Sequence, residues 1–199
     1  MRSDRDPGVD PNACHQRHTP DVSGSGVIAF FEGWRLGNDE LIAALEHLSP
    51  PQLQLPVGSP TWPIWASASH IAGARVYWLC HVFKEPGVET TPFTEHEIVE
   101  SGWEDCLDHP RSADELVAAL RSSWAIVERT LAAWTPDSLT REARRVREGK
   151  VQIHTRQSVL MRLVTHDAFH SGEPSLTLGS HGLGAIDMWR GLSREATDR

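Results

Sequence analysis

The sequence predicts an all-α protein, an antiparallel four-helix bundle with one long crossover loop. Four segments repeat apolar residues at spacings of three, four and seven, which is the period of an α-helix. One long and two moderate connections join these segments, as expected for a bundle of antiparallel helices. Strand-like alternation is nearly absent elsewhere. Residues 26–189 are therefore expected to form a single helical domain.

The first predicted helix runs from Gly26 to Leu48. Asn38 falls on its apolar stripe, so one core-facing position is polar. The prolines of the segment 49–51 end the helix, and residues 52–60 are expected to form a loop. The stripe consists of Val27, Phe31, Trp34, Leu41, Leu45 and Leu48.

The second predicted helix begins near Thr61 and Pro63 and continues to about Lys84. A proline is tolerated in the first turn, because the N–H that it lacks has no helical partner there. The turn residues of segment 85–87 end the helix. The stretch that follows, up to Pro110, is acidic and rich in Thr, Pro and Glu, so a long crossover loop with at most one short helix is expected.

The third and fourth helices follow the crossover loop. Residues 112–115 have the sequence Ser-Ala-Asp-Glu, which matches a capping box and marks the start of the third helix. Between the two helices, residues 146–153 form either a small hairpin or an extended loop. The fourth helix is expected from about Thr155 to the region of Gly179. The seam of the third helix consists of Leu116, Leu120, Trp124, Val127, Leu131 and Trp134.

Both chain ends are expected to be tails. Residues 1–25 are polar and rich in Pro, Gly, Asp and Ser, which is typical of a flexible segment. Cys14, His15 and His18 lie there, but a metal site on a flexible tail is disfavoured. Residues 190–199 are expected to fray, with Trp189 as the one anchor before them.

Composition excludes several classes of function. The 199 residues include 19 basic and 27 acidic side chains, a net charge of −8. This balance argues against nucleic acid and anionic membranes as partners, since both attract basic surfaces. Neither a signal peptide nor an apolar stretch long enough for a membrane span is visible. The three cysteines are widely spaced, which favours a cytoplasmic protein without disulfides.

Three histidines are the strongest candidates for chemistry. His166 and His170 are four residues apart on a predicted helix, so both can reach one metal ion, although such pairs also occur on solvated faces. They share the apolar seam of that helix, where unpaired polar groups are costly. His70 is the natural third ligand, because small residues such as Gly73 and Ala74 leave space around it. The alternative is that His70 is a core histidine at a close helix contact.

The sequence around these histidines resembles the DinB-like family. Trp62, Ala66 and the segment Ser69-His70-Ile71 carry the resemblance, together with residues 166–173, His-Asp-Ala-Phe-His-Ser-Gly-Glu. The resemblance covers roughly residues 25–189. It implies a DinB/YfiT-like four-helix bundle whose members bind metal, usually zinc or nickel, and include thiol-dependent S-transferases. It also implies that His70, His166 and His170 are the metal ligands, which leaves positions open for water or substrate.

Other residues near this motif have predicted roles. Glu173 lies on the face of His170 and is a candidate acceptor for its ring N–H or a general base. Asp167 points away from His166 and is expected to orient a neighbouring arginine. Pro174 removes the N–H that would bond to the His170 carbonyl, so the helix either kinks and widens the pocket mouth or simply ends and resumes. The candidate substrate-binding residues are Tyr77, Trp34, His81 and Arg162.

The segment from Arg141 to Arg162 is locally basic, with seven basic residues against two acidic ones. One interpretation is a solvated segment that pairs with the acidic stretch 85–115. The other is an edge that recognises an anion, such as a carboxylate-bearing substrate or a small thiol.

Three functional hypotheses remain at this point. The first is a metal-dependent transferase that activates a thiol or water for transfer to a small electrophile. The second is a metal-assisted isomerase, hydrolase or cyclase of a biosynthetic pathway that uses no thiol. The third is a metal- or ligand-binding stress protein without catalysis. A homodimer is expected, because Trp124 and Trp134 have no obvious role at their helix ends.

Overall fold

The computed structural model describes residues 27–58 and 62–193 and contains four long helices. The predicted flexible tail, with Cys14, His15 and His18, lies outside these residues. The all-α fold predicted from the sequence is confirmed. The elements in chain order are α1 (Glu32–Leu45), α2 (Pro50–Leu53), α3 (Ile64–Val76), α4 (Glu95–Val99), α5 (Ala113–Ala133), β1 (Glu142–Arg147), β2 (Lys150–Thr155) and α6 (Arg156–Ser180).

The first helix is shorter than the sequence predicts. A 3₁₀ turn, Val27–Phe31, precedes α1, and α1 ends at Leu45. The segment after it is not entirely a loop, because Ser49 caps the one-turn helix α2 and its N–H donates to the Gln52 side chain at 2.8 Å. Pro50 suits the first position of this helix, where no backbone N–H is needed.

Helix α3 lies at the centre of the bundle and packs against both α5 and α6. Its residues from Ile64 to Ala72 are buried, with the exception of His70, which is half-buried. Beyond Val76 the chain continues as a π-helical turn, Tyr77–Val82. π-Helical turns are rare in proteins overall. Where they occur, they are often at functional sites, because they change the direction of the side chains that follow.

The crossover between α3 and α5 is a long loop with one short helix, α4, as predicted. It is packed rather than solvated, because Phe93, Ile98 and Trp103 are buried. The rings of Phe93 and Trp103 lie 4.7 Å apart, at a tilt. These apolar contacts hold the crossover loop over α3.

The segment between α5 and α6 forms a hairpin, which is one of the two predicted alternatives; the other is an extended loop. Strands β1 and β2 pair antiparallel, with Arg147 opposite Lys150. The two turn residues, Glu148 and Gly149, have φ of 52° and 72°, the left-handed conformation that a type I′ hairpin turn requires. Alternate side chains of β1 therefore face opposite ways, and Arg145 faces the helical body while Arg144 is exposed.

The two predicted long helices after the crossover begin where the sequence indicates. Ser112 accepts from the Glu115 N–H and caps α5, and Thr155 caps α6 in the same way. Helix α6 continues through Pro174 without interruption. The proline is one of the buried residues of this helix, and the helix does not end and resume there.

Several tryptophans differ from their predicted roles. Trp124 and Trp134 are only 9% and 1% exposed, so they fill the core of this chain and provide no argument for a dimer. Trp189 is 78% exposed and is not the anchor of the C-terminal segment. Ile186 and Met188 anchor it instead, and a Cβ on Gly37 would lie 2.7 Å from the Met188 methyl group. The homodimer stays a prediction.

Within residues 27–58 and 62–193, none of the helices has the length and apolar character needed to cross a bilayer.

Candidate metal centre

Three histidines from two helices meet on one side of the bundle. His70 on α3 and His166 and His170 on α6 each offer a ring nitrogen, and these atoms lie within 4.8 Å of one another. The Nε2 atoms of His70 and His166 are 2.9 Å apart. The ring centroids of the three imidazoles are separated by 4.5 to 4.8 Å. The three residues predicted as ligands therefore come together in the folded chain.

Local sequence explains this convergence. The spacing of four puts His166 and His170 on one face of α6, and α3 packs against that helix. Small residues after His70 keep the space beside it open, since nothing lies within 4 Å of the position that a Cβ on Gly73 would take. Trp62 closes another side, with its ring centroid 5.0 Å from that of His70.

A carboxylate lies beside the Nδ1 atom of each histidine. Glu104 is 2.6 Å from His70 Nδ1, and Glu173 is 2.9 Å from His170 Nδ1. Asp167 is 3.6 Å from His166 Nδ1, beyond hydrogen-bond distance, and both of these atoms are buried without a partner among the described residues. A carboxylate at Nδ1 fixes the ring and leaves Nε2 for a metal, the usual arrangement around ligating histidines.

The donor set fits a divalent metal such as zinc. Burial lowers the pKa of His170, and the hydrogen bond to Glu173 opposes this shift. A lowered pKa keeps the imidazole neutral near pH 7, which is the state that binds metal. Two Nε2 atoms in contact also need either a proton or a cation between them. Three imidazoles in this arrangement are typical of zinc sites that keep a position open for another ligand.

Pro174 leaves the carbonyl of His170 without its helical N–H, and the Ser67 hydroxyl lies next to that carbonyl. The hydroxyl of Ser67 on α3 lies 3.1 Å from the His170 carbonyl oxygen, the atom that Pro174 leaves without its helical N–H. The same hydroxyl lies 2.9 Å from Glu173 Oε2. Glu173 is thus held between Ser67 and His170, in the position predicted for an acceptor of the ring N–H.

A buried polar network lies next to the histidines. Arg75 on α3 donates from Nε to Asp167 at 2.8 Å, which agrees with the prediction that Asp167 orients an arginine. Arg75 also donates to the amide oxygen of Asn38 at 2.7 Å, which explains the polar residue on the apolar stripe of α1. The Trp34 indole N–H donates to Asp167 at 2.7 Å.

The prediction that Trp34 binds substrate needs correction. Its side chain is 8% exposed and packs edge-to-face against Trp124, with ring centroids 5.3 Å apart. Trp34 is therefore a core residue of the bundle. The apolar stripe predicted its place on the helix, but the stripe alone does not tell a core tryptophan from a pocket wall.

A cavity of about 400 Å³ opens beside the metal centre. His70 and His166 lie in its wall, and the predicted substrate-binding residues Tyr77 and Arg162 line it too. His81 does not line this cavity, and its ring stacks on Tyr77 with centroids 5.3 Å apart. Glu173 does not line it either, so its position suits an acceptor for the His170 ring rather than a base that reaches substrate.

Several residues around the site are not predicted from the sequence, and for most of them no local pattern indicates the role. Glu104 belongs to the irregular crossover loop, where no periodicity predicts which acidic residue meets His70. Arg145 and Trp78 face the cavity because of the hairpin and the π turn. Ser67 had a usable signal, since it lies three residues before His70 and therefore on the same face of α3.

Comparison with known families agrees with this geometry. The model of the DinB superfamily matches residues 34–173, more than two thirds of the chain, and this range includes all three histidines. The chain belongs to the DinB superfamily.

A solved structure supports the same fold. The crystal structure of a DinB-like protein from Bacillus cereus ATCC 10987 is similar to this DinB-superfamily chain, with a TM-score of 0.57 and 20% sequence identity. The match covers 82% of this chain and 98% of that chain. A comparison with curated proteins finds no match.

Proposed function

We propose that this protein is a metal-dependent enzyme that transfers a thiol to a small electrophile. The observation that carries the proposal is the meeting of three histidine nitrogens within 4.8 Å. Carboxylates lie at hydrogen-bond distance from the Nδ1 atoms of His70 and His170, and a cavity opens beside the cluster. A divalent metal, zinc or nickel, would act there as a Lewis acid and lower the pKa of a thiol or water bound to it.

The residues of the chain have separable tasks in this proposal. His70, His166 and His170 hold the metal, and Glu104 and Glu173 keep the rings of His70 and His170 oriented. Glu173 is thus a positioning residue. In the transfer, the S–H bond of the thiol breaks and its proton passes to solvent. A bond forms between sulfur and a carbon of the electrophile, and the leaving group departs with its electron pair.

Metal analysis tests the first half of the proposal. Protein purified without a chelator, and after removal of any affinity histidines, is expected to contain about one zinc or nickel per chain by mass spectrometry. His166→Ala is expected to lose the metal. His181→Ala is a matched control, because His181 is exposed and lies at the far end of the same helix. Equal metal content in both variants contradicts the proposal.

A coupling assay tests the second half. The metal-loaded protein is expected to accelerate the reaction of a small thiol with 1-chloro-2,4-dinitrobenzene, and His166→Ala is expected to abolish the acceleration. An activity that ignores added thiol would favour the isomerase or hydrolase hypothesis instead. Stoichiometric metal without any activity would favour a metal-binding protein.

A further inference from the structure

We propose that the cavity beside the metal centre takes a small molecule with a carboxylate, which the guanidinium groups of Arg145 and Arg162 bind. This inference rests on the proposed function, since it names the chemical class of the molecule that the site accepts. The two arginines come from different elements, β1 and α6, and the fold brings both to one tryptophan.

Both guanidinium groups lie over the ring system of Trp78, in the π turn after α3. The Cζ atoms of Arg145 and Arg162 lie 4.5 Å and 4.9 Å from the centre of the Trp78 ring system. A planar guanidinium held over an aromatic ring keeps its N–H groups in the plane at its edge, where those that make no other hydrogen bond can donate to a ligand. Such an edge matches the two oxygens of a carboxylate in geometry.

The positive charges of these two arginines are not compensated in the described part of the chain. No carboxylate oxygen of residues 27–58 or 62–193 lies within 4.0 Å of either guanidinium. Arg145 is held by neutral groups, since it donates to Gln152 at 2.8 Å and to the Tyr77 hydroxyl at 3.2 Å. Two like charges on one ring system repel each other, and a bound anion relieves that repulsion.

The carboxylates in the opposite wall of the cavity do not replace such an anion. Three of the four accept hydrogen bonds within their own wall. These pairs are Glu104 with the His70 ring, Asp105 with the Gly102 N–H, and Glu97 with the Trp103 indole. The basic wall is therefore left to interact with a molecule in the cavity.

The arginines lie next to the metal ligands. Arg162 is one helical turn before His166, on the same face of α6. Both arginines line the cavity that also includes His70 and His166. A molecule with a carboxylate at one end thus has the reactive centre of the proposed function at its other end.

The basic segment 141–162 has two interpretations, pairing with the acidic stretch 85–115 and recognition of an anion. Different arginines of the segment fit each of them. Arg156 pairs with Glu85 of the acidic stretch at 3.1 Å, as the first interpretation expects, but Arg156 is buried and not solvated. Arg145, Arg147 and Arg162 face the cavity instead.

Two thiols of equal length test the proposal. The probes are 3-mercaptopropionate and 3-mercaptopropan-1-ol, titrated into the zinc-loaded protein by calorimetry with a phosphine reductant present. We expect the carboxylate to bind at least about tenfold more tightly, because charge-assisted bidentate hydrogen bonds are stronger than neutral ones. Equal affinities of the two thiols overturn the proposal.

A matched pair of double variants assigns the preference to these arginines. In Arg145→Gln/Arg162→Gln the affinity ratio is expected to fall to near one. Arg144→Gln/Lys150→Gln removes the same charge from exposed positions of the hairpin and is expected to keep the ratio. The proposal is overturned if Arg145→Gln/Arg162→Gln keeps the affinity ratio of the wild type, or if both double variants lose it equally.

A measurement without metal separates this proposal from the proposed function. In chelator-treated wild-type protein, the guanidinium Cζ and Nη resonances of Arg145 and Arg162 are expected to shift on addition of 3-mercaptopropionate and not of 3-mercaptopropan-1-ol. This NMR measurement tests the carboxylate proposal even if the double variant does not fold, because it uses the wild-type protein. If the resonances shift but no metal binds, the carboxylate site stands and the metal-dependent function is wrong. If metal binds but the resonances stay unchanged, the carboxylate proposal is wrong.

Discussion

The Ser67 hydroxyl lies 3.1 Å from the carbonyl oxygen of His170. That carbonyl has no helical N–H partner, because residue 174 is a proline. The hydroxyl takes the place of the missing donor, although its single hydrogen is shared with the Glu173 carboxylate, and it joins α3 to α6 one turn from the histidine cluster. It also lies 2.9 Å from Glu173, the carboxylate that holds the His170 ring.

Replacing Ser67 should therefore affect both stability and metal binding. Ser67→Ala is expected to lower the free energy of unfolding by about 1 kcal/mol, because a buried acceptor loses its partner. It is also expected to weaken zinc binding about tenfold, as loss of a group that supports a ligand does. Ser69→Ala is the control, since within residues 27–58 and 62–193 that buried hydroxyl bonds only to the Ala66 carbonyl of its own helix. Equal zinc affinities in the two variants would contradict this role.

Glu104 is expected to tune the metal site from the crossover loop. Glu104→Gln removes the charged acceptor at His70 Nδ1 and should weaken zinc binding about 10- to 100-fold, with little change in the fold. The same substitution at Glu100, an exposed carboxylate of the same loop, should leave the affinity unchanged. Competition with a chromophoric chelator measures both constants. A Glu104 variant that binds zinc like the wild type would remove this residue from the site.

Metal binding should stabilise the protein in a pH-dependent way. A metal at 100 times its Kd stabilises the folded state by about 2.7 kcal/mol, so a chelator should lower the Tm at pH 7.5 by about 5 to 10 °C. Coordination needs neutral imidazoles, whose ordinary pKa is about 6.5. The stabilisation is therefore present at pH 7.5 and is lost as the pH falls and protons displace the metal.

The same chelator experiment has two internal checks. At pH 5 the chelator should change the Tm little, and in His70→Ala its effect should be small at both pH values. Differential scanning calorimetry at low ionic strength measures all four conditions. Equal chelator shifts in the wild type and the variant would show that His70 is not a ligand.

The buried pair of Arg75 and Asp167 should matter far more for stability than exposed pairs do. Both side chains are nearly inaccessible, at 1% and 4% exposure. Arg75→Met leaves the Asp167 charge buried without its partner, so the free energy of unfolding is expected to fall by about 3 to 5 kcal/mol. Arg121→Met breaks an exposed pair with Glu46 and should cost less than about 1 kcal/mol. Urea unfolding compares the two, and similar costs would contradict the prediction.

His154 should report on the charges of Arg145 and Arg162. Burial lowers the pKa of His154, and the two arginines lower it further. In Arg162→Gln one positive charge is gone, so protonation becomes easier and the pKa should rise, while burial keeps it below the ordinary value. NMR titration of the His154 ring measures this change. Arg144→Gln should not move it, and an unchanged pKa in Arg162→Gln would mean that the guanidinium is remote from His154.

Local signals in the sequence are enough to place the four long helices and the three candidate metal ligands. Apolar periodicity, the capping residues Ser112 and Thr155 and the turn residues between them are local signals, so they can be found without a fold. The pair His166 and His170 is local in the same sense, because a spacing of four fixes a common helix face.

The groups that surround the candidate ligands depend on how distant segments of the chain pack together. Glu104 meets His70 because buried aromatic residues fix an irregular loop, and Arg145 meets Trp78 because a hairpin packs on a π turn. Trp34 is a second example, because its position on the apolar stripe of α1 is compatible with a core residue and with a pocket residue. Periodicity specifies the face of a helix, whereas the residue opposite that face depends on contacts between segments far apart in the chain.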